Sequence, residues 1–143
     1  MQQPRDLVMQ LRTSDFKRKL LLWGTPIVLA HYAAVIWHVA LLVKVQPGFS
    51  GLAILLLLVI NLLPIAGLFT FAKGFPKLAG SLIIVPLGIA LVIGGYTHFL
   101  SAGSDNVLRM AANEWRLPFQ ISAALLAILE AAGCWIGFRV AFA

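Results

Sequence analysis

Four long apolar stretches alternate with shorter polar segments along the chain. The apolar stretches cover residues 20–43, 51–72, 78–100 and 119–141. Each is close to the ~20 apolar residues that a helix needs to cross a hydrocarbon core of about 30 Å. The first two connections are short, and short connections join neighbouring helices that run in opposite directions. The pattern therefore predicts an all-α integral membrane protein, with residues 20–143 forming an antiparallel four-helix transmembrane bundle.

The remaining segments are polar enough to lie outside the hydrocarbon. Residues 1–19 are rich in basic residues and predict a cytoplasmic N-terminal segment, either an amphipathic surface helix or a partly ordered tail. Residues 101–118 form the longest connection, in which Ser104, Asp105 and Asn106 can cap a short helix. We expect this short helix of the third loop to lie on the membrane surface as a partial lid.

The composition is that of a protein whose surface faces lipid. Hydrophobic residues make up 61% of the 143 residues and charged residues only 11%, compared with about 25% charged residues in soluble domains. The single cysteine, Cys134, excludes an internal disulfide and a cysteine-based zinc site. The net charge of +6 does not indicate nucleic-acid binding, because the basic residues flank apolar spans. Membrane lipids with anionic head groups are the expected partners.

The basic residues also predict how the spans are oriented. With a cytoplasmic N-terminus, eight of the 11 lysines and arginines lie on the cytoplasmic side, and only Lys44, Arg109 and Arg116 lie on the other side. Cytoplasmic segments of membrane proteins carry the excess of basic residues. We therefore expect both termini in the cytoplasm, with the bundle in the cytoplasmic (inner) membrane of a bacterium.

Polar residues within the spans are the candidate functional residues, because ionisable groups inside a membrane are costly and usually have a role. His31, Asn61 and Glu130 lie at the centres of spans one, two and four. Inside the bundle these three side chains can hydrogen-bond one another. This midplane polar cluster has two interpretations, a proton-linked site or interhelical hydrogen bonds with no chemistry of their own.

A second polar layer is predicted nearer the outer face. His38 in span one and His98 in span three lie at about the same depth. Spans one and three are diagonal in a simple bundle, so both side chains can reach the common axis. Two facing imidazoles can hold the iron of a b-type haem or another metal ion. The alternative is that each histidine only hydrogen-bonds a carbonyl or a serine near the interface.

The surroundings of the two histidines fit a bound cofactor. Gly94 and Gly95 lie one turn before His98 and would leave space beside a flat ring. Lys44, Arg109 and Arg116 lie just beyond, where they could meet the carboxylates of a haem. The two histidines are therefore predicted as metal ligands, and these five residues as further cofactor-binding residues.

Three functions remain open. The first is a subunit or module that binds haem b, a metal ion or a quinone between its helices for electron transfer. The second is a proton- or cation-coupled transporter that uses Glu130. A four-span chain with one membrane carboxylate is similar in outline to the small multidrug transporters, although these carry the acid in span one. The third is a structural or assembly subunit.

Partners and enzymatic activity are less constrained. A small hydrophobic chain of this kind is expected to form a homo-oligomer or to belong to a larger membrane complex. The sequence contains no phosphate-binding glycine loop, HExxH zinc motif, serine-nucleophile motif or dinucleotide fingerprint. A redox role would therefore be that of a non-catalytic electron-transfer subunit.

Overall fold

The computed structural model describes residues 4–46, 48, 50–103 and 105–143, and the side chains from Asp15 onward. These described residues form helices and turns, with no strand. The elements in chain order are α1 (Pro4–Val45), α2 (Gly51–Ile60), α3 (Leu63–Ala72), α4 (Pro76–Gly95), a π-helical segment (Tyr96–Leu100) and α5 (Arg116–Ala141).

Within the described part of the chain, four helical stretches are long and apolar enough to cross a membrane. They are Asp15–Val45, Gly51–Ala72, Pro76–Leu100 and Arg116–Ala141. The backbone of α1 is helical from Pro4 onward and continues into the first span without a break. The side chains before Asp15, on which an amphipathic face at the N-terminus would depend, lie outside the described residues.

The second span is built from two helices. α2 ends at Ile60 and α3 begins at Leu63, so a turn lies in the middle of the span. Pro64 causes this break because it has no backbone N–H to donate to the carbonyl of Ile60. The side chain of Asn61 covers part of the turn, since its Nδ2 donates to the carbonyl of Leu57 at 2.7 Å.

The four spans form a closed ring in which neighbours run in opposite directions. α1 packs against α5, α5 against α4, α4 against α3, and both halves of the second span against α1. Contacts at one end fix the directions. Lys17 Nζ donates to the carbonyl of Ala72 at 3.1 Å, and the Arg139 guanidinium lies 5.4 Å from the ring centroid of Phe16. The end of α3 and the end of α5 therefore both lie beside the early part of α1.

The buried core is divided into three apolar clusters along the bundle. The first, at the end that holds Lys17, includes Val28, Leu68 and Ile136. The second, in the middle, is formed by Ala34, Val35, Val39 and Leu126. The third, at the opposite end, is formed by Leu41, Leu42, Val107, Met110, Phe119 and Ala123. Large side chains such as Trp23 and Phe69 are exposed on the outside, as expected where a surface faces lipid.

The prediction of a short helix in the third loop is wrong, because the described residues between Leu100 and Arg116 form only turns and bends. Asn106 explains the difference. Its Oδ1 accepts from the backbone N–H groups of Leu108 and Arg109, while its Nδ2 donates to the carbonyl of Ser101 at 2.6 Å. These bonds tie the loop back to the preceding helix, and Ser104 lies outside the described residues.

Candidate functional site

The structure brings His38 and His98 into direct contact. His38 projects from α1 and His98 from the π-helical segment after α4, and their Nε2 atoms lie 3.2 Å apart. The two rings are nearly perpendicular, with centroids 4.8 Å apart. His38 is only 5% exposed. The two histidines are 60 residues apart in the sequence, and the fold brings one nitrogen of each ring together.

The π-helical segment sets the direction of His98. The backbone N–H of Ser101 donates to the carbonyl of Tyr96 at 2.8 Å, a bond that spans five residues instead of four. Such widened turns are rare and occur frequently at functional sites. The hydroxyl of Thr97 bonds back to the carbonyl of Ile93 at 3.0 Å, so side chains help to satisfy the distorted turn.

The Nδ1 atom of each ring lies close to an oxygen atom. His38 Nδ1 lies 2.8 Å from the hydroxyl oxygen of Ser122 on α5. His98 Nδ1 lies 3.3 Å from the carbonyl oxygen of Asp105 and 3.6 Å from its carboxylate. Histidines that bind metals commonly have their second nitrogen held in this way, which orients the ring and selects the tautomer.

The hydrogen atoms of the pair can be assigned from these partners. The oxygen partners of His98 Nδ1 are hydrogen-bond acceptors, so this nitrogen carries the ring hydrogen. Nε2 of the neutral ring therefore has no hydrogen and carries a lone pair. Ser122 decides the state of His38, because its hydroxyl also lies 2.9 Å from the carbonyl of Phe119. If the hydroxyl donates to that carbonyl, His38 Nδ1 must donate to the Ser122 oxygen. Nε2 of His38 then has no hydrogen and carries a lone pair, as Nε2 of His98 does.

Two arrangements of these hydrogen atoms are therefore possible. In the first, Ser122 donates to His38 Nδ1, and His38 Nε2 donates to His98 Nε2. In the second, Ser122 donates to Phe119, and two lone pairs face each other at 3.2 Å. The second arrangement requires a cation between the rings, either a proton or a metal ion, because facing lone pairs otherwise repel.

Phe119 fills the space beside both histidines. Its ring stacks on His38 with centroids 4.8 Å apart and meets His98 edge-on at 5.5 Å. A haem between two histidines would require the Nε2 atoms to lie about 4 Å apart, given two opposed metal–nitrogen bonds of about 2.0 Å. The observed separation and the position of Phe119 suit a single small ion better than a flat macrocycle.

Of the five residues predicted to surround a cofactor, one lies in contact with a histidine of the pair. Gly94 is adjacent to His98, since a Cβ atom added there would lie 3.8 Å from its Cδ2. An added Cβ at Gly95 meets nothing within 4 Å. Lys44 and Arg109 are exposed and Arg116 is half-buried. None of these three basic residues forms an ion pair with another residue in the described ranges.

The midplane residues are buried, but they are only partly paired. His31 Nε2 lies 3.8 Å from Glu130 Oε1, so these two residues do meet. Asn61 is also buried, but its amide bonds to its own helix. His31 Nδ1, His31 Nε2 and Asn61 Oδ1 have no hydrogen-bond partner among the described residues.

Three residues of the histidine site escaped the sequence analysis. Depth along the span is a signal that indicates Ser122, a polar residue of span four that lies two turns nearer the third loop than Glu130 does. Asp105 lies in a loop whose path the sequence does not reveal. Phe119 carries no signal that separates it from other apolar residues of span four.

Only two protein ligands meet at the histidine pair. Among the residues that the structure describes, no group of three or more histidine, cysteine, aspartate or glutamate side chains is placed to hold a metal ion. The chain matches no known family model, no curated protein and no solved structure.

Proposed function

We propose that this chain is a small integral membrane protein that binds one transition-metal ion between His38 and His98. The observation that carries the proposal is the 3.2 Å separation of the two Nε2 atoms, combined with oxygen partners at both Nδ1 atoms. Two bonds of about 2.0–2.1 Å in a tetrahedral site place the nitrogen atoms about 3.3 Å apart. The rings are thus already spaced for one ion.

The chemistry of the ligands narrows the choice of ion. Neutral imidazole suits zinc, copper, iron and nickel, and is a poor ligand for magnesium or calcium. Two histidines leave coordination positions open for water or for another ligand. Copper in this position would support electron transfer, whereas zinc has no redox chemistry. Haem b and a quinone, the other ligands considered for electron transfer, would both require Phe119 to move.

The position of the site in the membrane is part of the proposal. We place both termini on the cytoplasmic side of a bacterial inner membrane, because eight basic residues lie at that end and three at the other. The histidine pair then lies near the outer face, under the loop of residues 101–115. Open coordination positions there would allow a second copy or a larger membrane complex to exchange metal or electrons with the site.

Metal binding by the purified full-length chain in lipid nanodiscs tests the proposal. Titration with Cu⁺ or Zn²⁺ in competition with a chelator should give about one bound ion per chain, as expected for one pair of imidazoles. His38→Ala and His98→Ala should each abolish this binding. Tyr96→Phe is the matched control, because Tyr96 lies in the same π-helical segment but is exposed.

X-ray absorption and visible spectra identify the ligand. Metal–nitrogen distances of about 2.0–2.1 Å that disappear in His38→Ala would support the proposal. Protein that binds neither metal in its folded wild-type form would overturn it. A Soret band from added haem that depends on both histidines would replace the metal ion with haem b.

A further inference from the structure

A second ionisable pair lies deeper in the bundle, and its hydrogen bonds are incomplete. His31 is 1% exposed and Glu130 is 6% exposed. The 3.8 Å between Nε2 and Oε1 is close enough for an ion pair but too long for a hydrogen bond. Both ring nitrogens of His31 and Oδ1 of Asn61 lack partners among the described residues. Buried polar atoms are normally paired, so these three atoms have unused capacity for hydrogen bonds.

The layer is enclosed by apolar side chains. His31 lies between Val28 of the first apolar cluster and Ala34 of the middle cluster. Glu130 and Asn61 lie between the same two clusters on their own spans. The apolar middle cluster also separates this layer from His38, the other histidine of α1. The midplane pair is therefore a distinct site, with no direct contact to the proposed metal site.

The charge of the pair indicates the ligand. A neutral imidazole beside an ionised carboxylate leaves a net negative charge among apolar side chains, which is costly inside a membrane. One proton removes that charge, whether it lies on His31 or on Glu130. α2 and α3 contain no titratable residue, and α4 has only Lys77, in its first turn.

Among the residues that the structure describes, no other neighbouring group supplies a compensating charge. The nearest titratable side chain on α5 is Cys134, whose Sγ lies 4.0 Å from the carbonyl oxygen of Ile84. The next histidine on α1, His38, is two turns away. One proton on the pair therefore balances the charge of this layer.

The geometry also distinguishes this pair from a fixed link between helices. A permanent link would close to a direct hydrogen bond, because an unpaired buried polar atom is destabilising. Here the two side chains remain apart, while Asn61 presents a free acceptor in the same layer. A water molecule bound to these atoms would satisfy them, and water is also what carries protons into buried sites.

We propose that His31 and Glu130 bind one exchangeable proton, delivered by water. The step is a proton transfer from a hydronium ion to Glu130 or to His31 Nε2, which leaves a neutral water molecule and changes no other bond. This proton site operates whether or not a metal ion occupies the histidine pair.

Infrared difference spectroscopy of the full chain in lipid nanodiscs, recorded at acidic and alkaline pH, tests the proposal. The carboxyl stretching band of protonated Glu130 should disappear at alkaline pH and shift in D₂O. The band should be lost in Glu130→Gln, and its midpoint pH should shift in His31→Gln. Glu114→Gln is the matched control, because Glu114 is an exposed loop carboxylate and its removal should leave the band intact.

A measurement on the unsubstituted chain guards against variants that fail to fold. In ¹⁵N-histidine-labelled protein, a proton that lies on His31 instead of Glu130 should appear as a change in the protonation of the His31 ring nitrogens with pH. Constant protonation of both Glu130 and His31 over the whole pH range in which the protein stays folded would overturn the proposal. A titration that is indifferent to His31→Gln in folded protein would overturn it equally. Both measurements are made without metal and so do not depend on the proposed metal site.

Discussion

At the residue scale, the hydroxyl of Ser122 controls which nitrogen of His38 is free. The hydroxyl lies within hydrogen-bond distance of both His38 Nδ1 (2.8 Å) and the carbonyl of Phe119 (2.9 Å). Its single hydrogen can serve only one of them at a time. When it serves Phe119, His38 presents a lone pair to His98, which is the state that a metal ion requires. A rotation of this hydroxyl, together with a shift of the His38 hydrogen from Nε2 to Nδ1, thus separates a closed hydrogen-bonded pair from a cation site.

Replacing Ser122 by alanine should therefore weaken metal binding without removing a ligand. Loss of a group that orients a metal-bound histidine typically costs 10–100-fold in affinity, and we expect a loss of about that size for Ser122→Ala. The measurement is the chelator competition used for the wild-type chain.

Ser81→Ala provides the control for that substitution. The hydroxyl of Ser81 also bonds to a backbone carbonyl of its own helix, that of Lys77 at 3.1 Å, but it is exposed and lies at the other end of the bundle. Its removal should leave metal affinity unchanged. Equal affinities for the Ser122→Ala and wild-type proteins would contradict the orienting role of Ser122.

At the element scale, the irregular parts of the helices coincide with the polar layers. The π-helical segment carries His98, and the break between α2 and α3 carries Asn61. Non-helical backbone at membrane depth is tolerated only where it is buried in protein or faces a water-filled cavity. The regular parts, in contrast, are packed closely. α4 continues through Pro86 as one helix and packs along α5.

The contact between α4 and α5 yields a prediction for stability. A Cβ atom added at Gly80 would lie 2.9 Å from the backbone Cα of Ala141 and 2.9 Å from the carbonyl oxygen of Gly137. Backbone atoms cannot move aside as a flexible side chain can, so Gly80→Ala should force the helices apart. We expect a loss of about 1–3 kcal/mol in the free energy of unfolding, typical of overpacking.

Gly88→Ala in the same helix is the matched control. An added Cβ there meets only the sulfur of Cys134, at an ordinary contact distance of 3.9 Å. Alanine also favours helix over glycine by up to about 1 kcal/mol, so this variant should be neutral or slightly stabilised. Denaturation in mixed detergent micelles measures both variants, and equal stability of the two would refute the close contact at Gly80.

At the scale of the whole molecule, polar and apolar layers alternate along the bundle. The midplane pair lies between the first and middle apolar clusters, and the histidine pair between the middle cluster and the one under the third loop. α1 supplies a histidine to each polar layer. The seven-residue spacing of His31 and His38 keeps both on the same side of the helix, within ~20° and about 10 Å apart along its axis. One helix thus links two sites of different chemistry.

The proposed orientation places the loops at the two ends of the bundle on opposite sides of the membrane. In a Cys134→Ala background, Ala102→Cys should react with a membrane-impermeant maleimide added outside intact cells. Phe75→Cys, in the loop between α3 and α4, should react only after permeabilisation, because basic residues hold that end in the cytoplasm. Both positions are exposed, so solvent access is matched. The reverse labelling pattern would invert the proposed orientation.

The sequence by itself determined the class of the molecule and the depth of its polar residues. Four apolar stretches of membrane-spanning length predict four helices, and the structure has four such stretches within the residues that it describes. This part is predictable because the thickness of the hydrocarbon acts on each segment separately. Depth along a span likewise follows from counting residues, and this count places His38 and His98 at about the same depth.

Only the tertiary structure decided which atoms meet. It brought Ser122, Phe119 and Asp105 to the histidine pair, and it replaced the expected loop helix by turns anchored through Asn106. These outcomes depend on how each helix is rotated about its axis and on which helices are neighbours. Both are set by packing between residues far apart in the chain, for which the local pattern of polar and apolar positions carries no information.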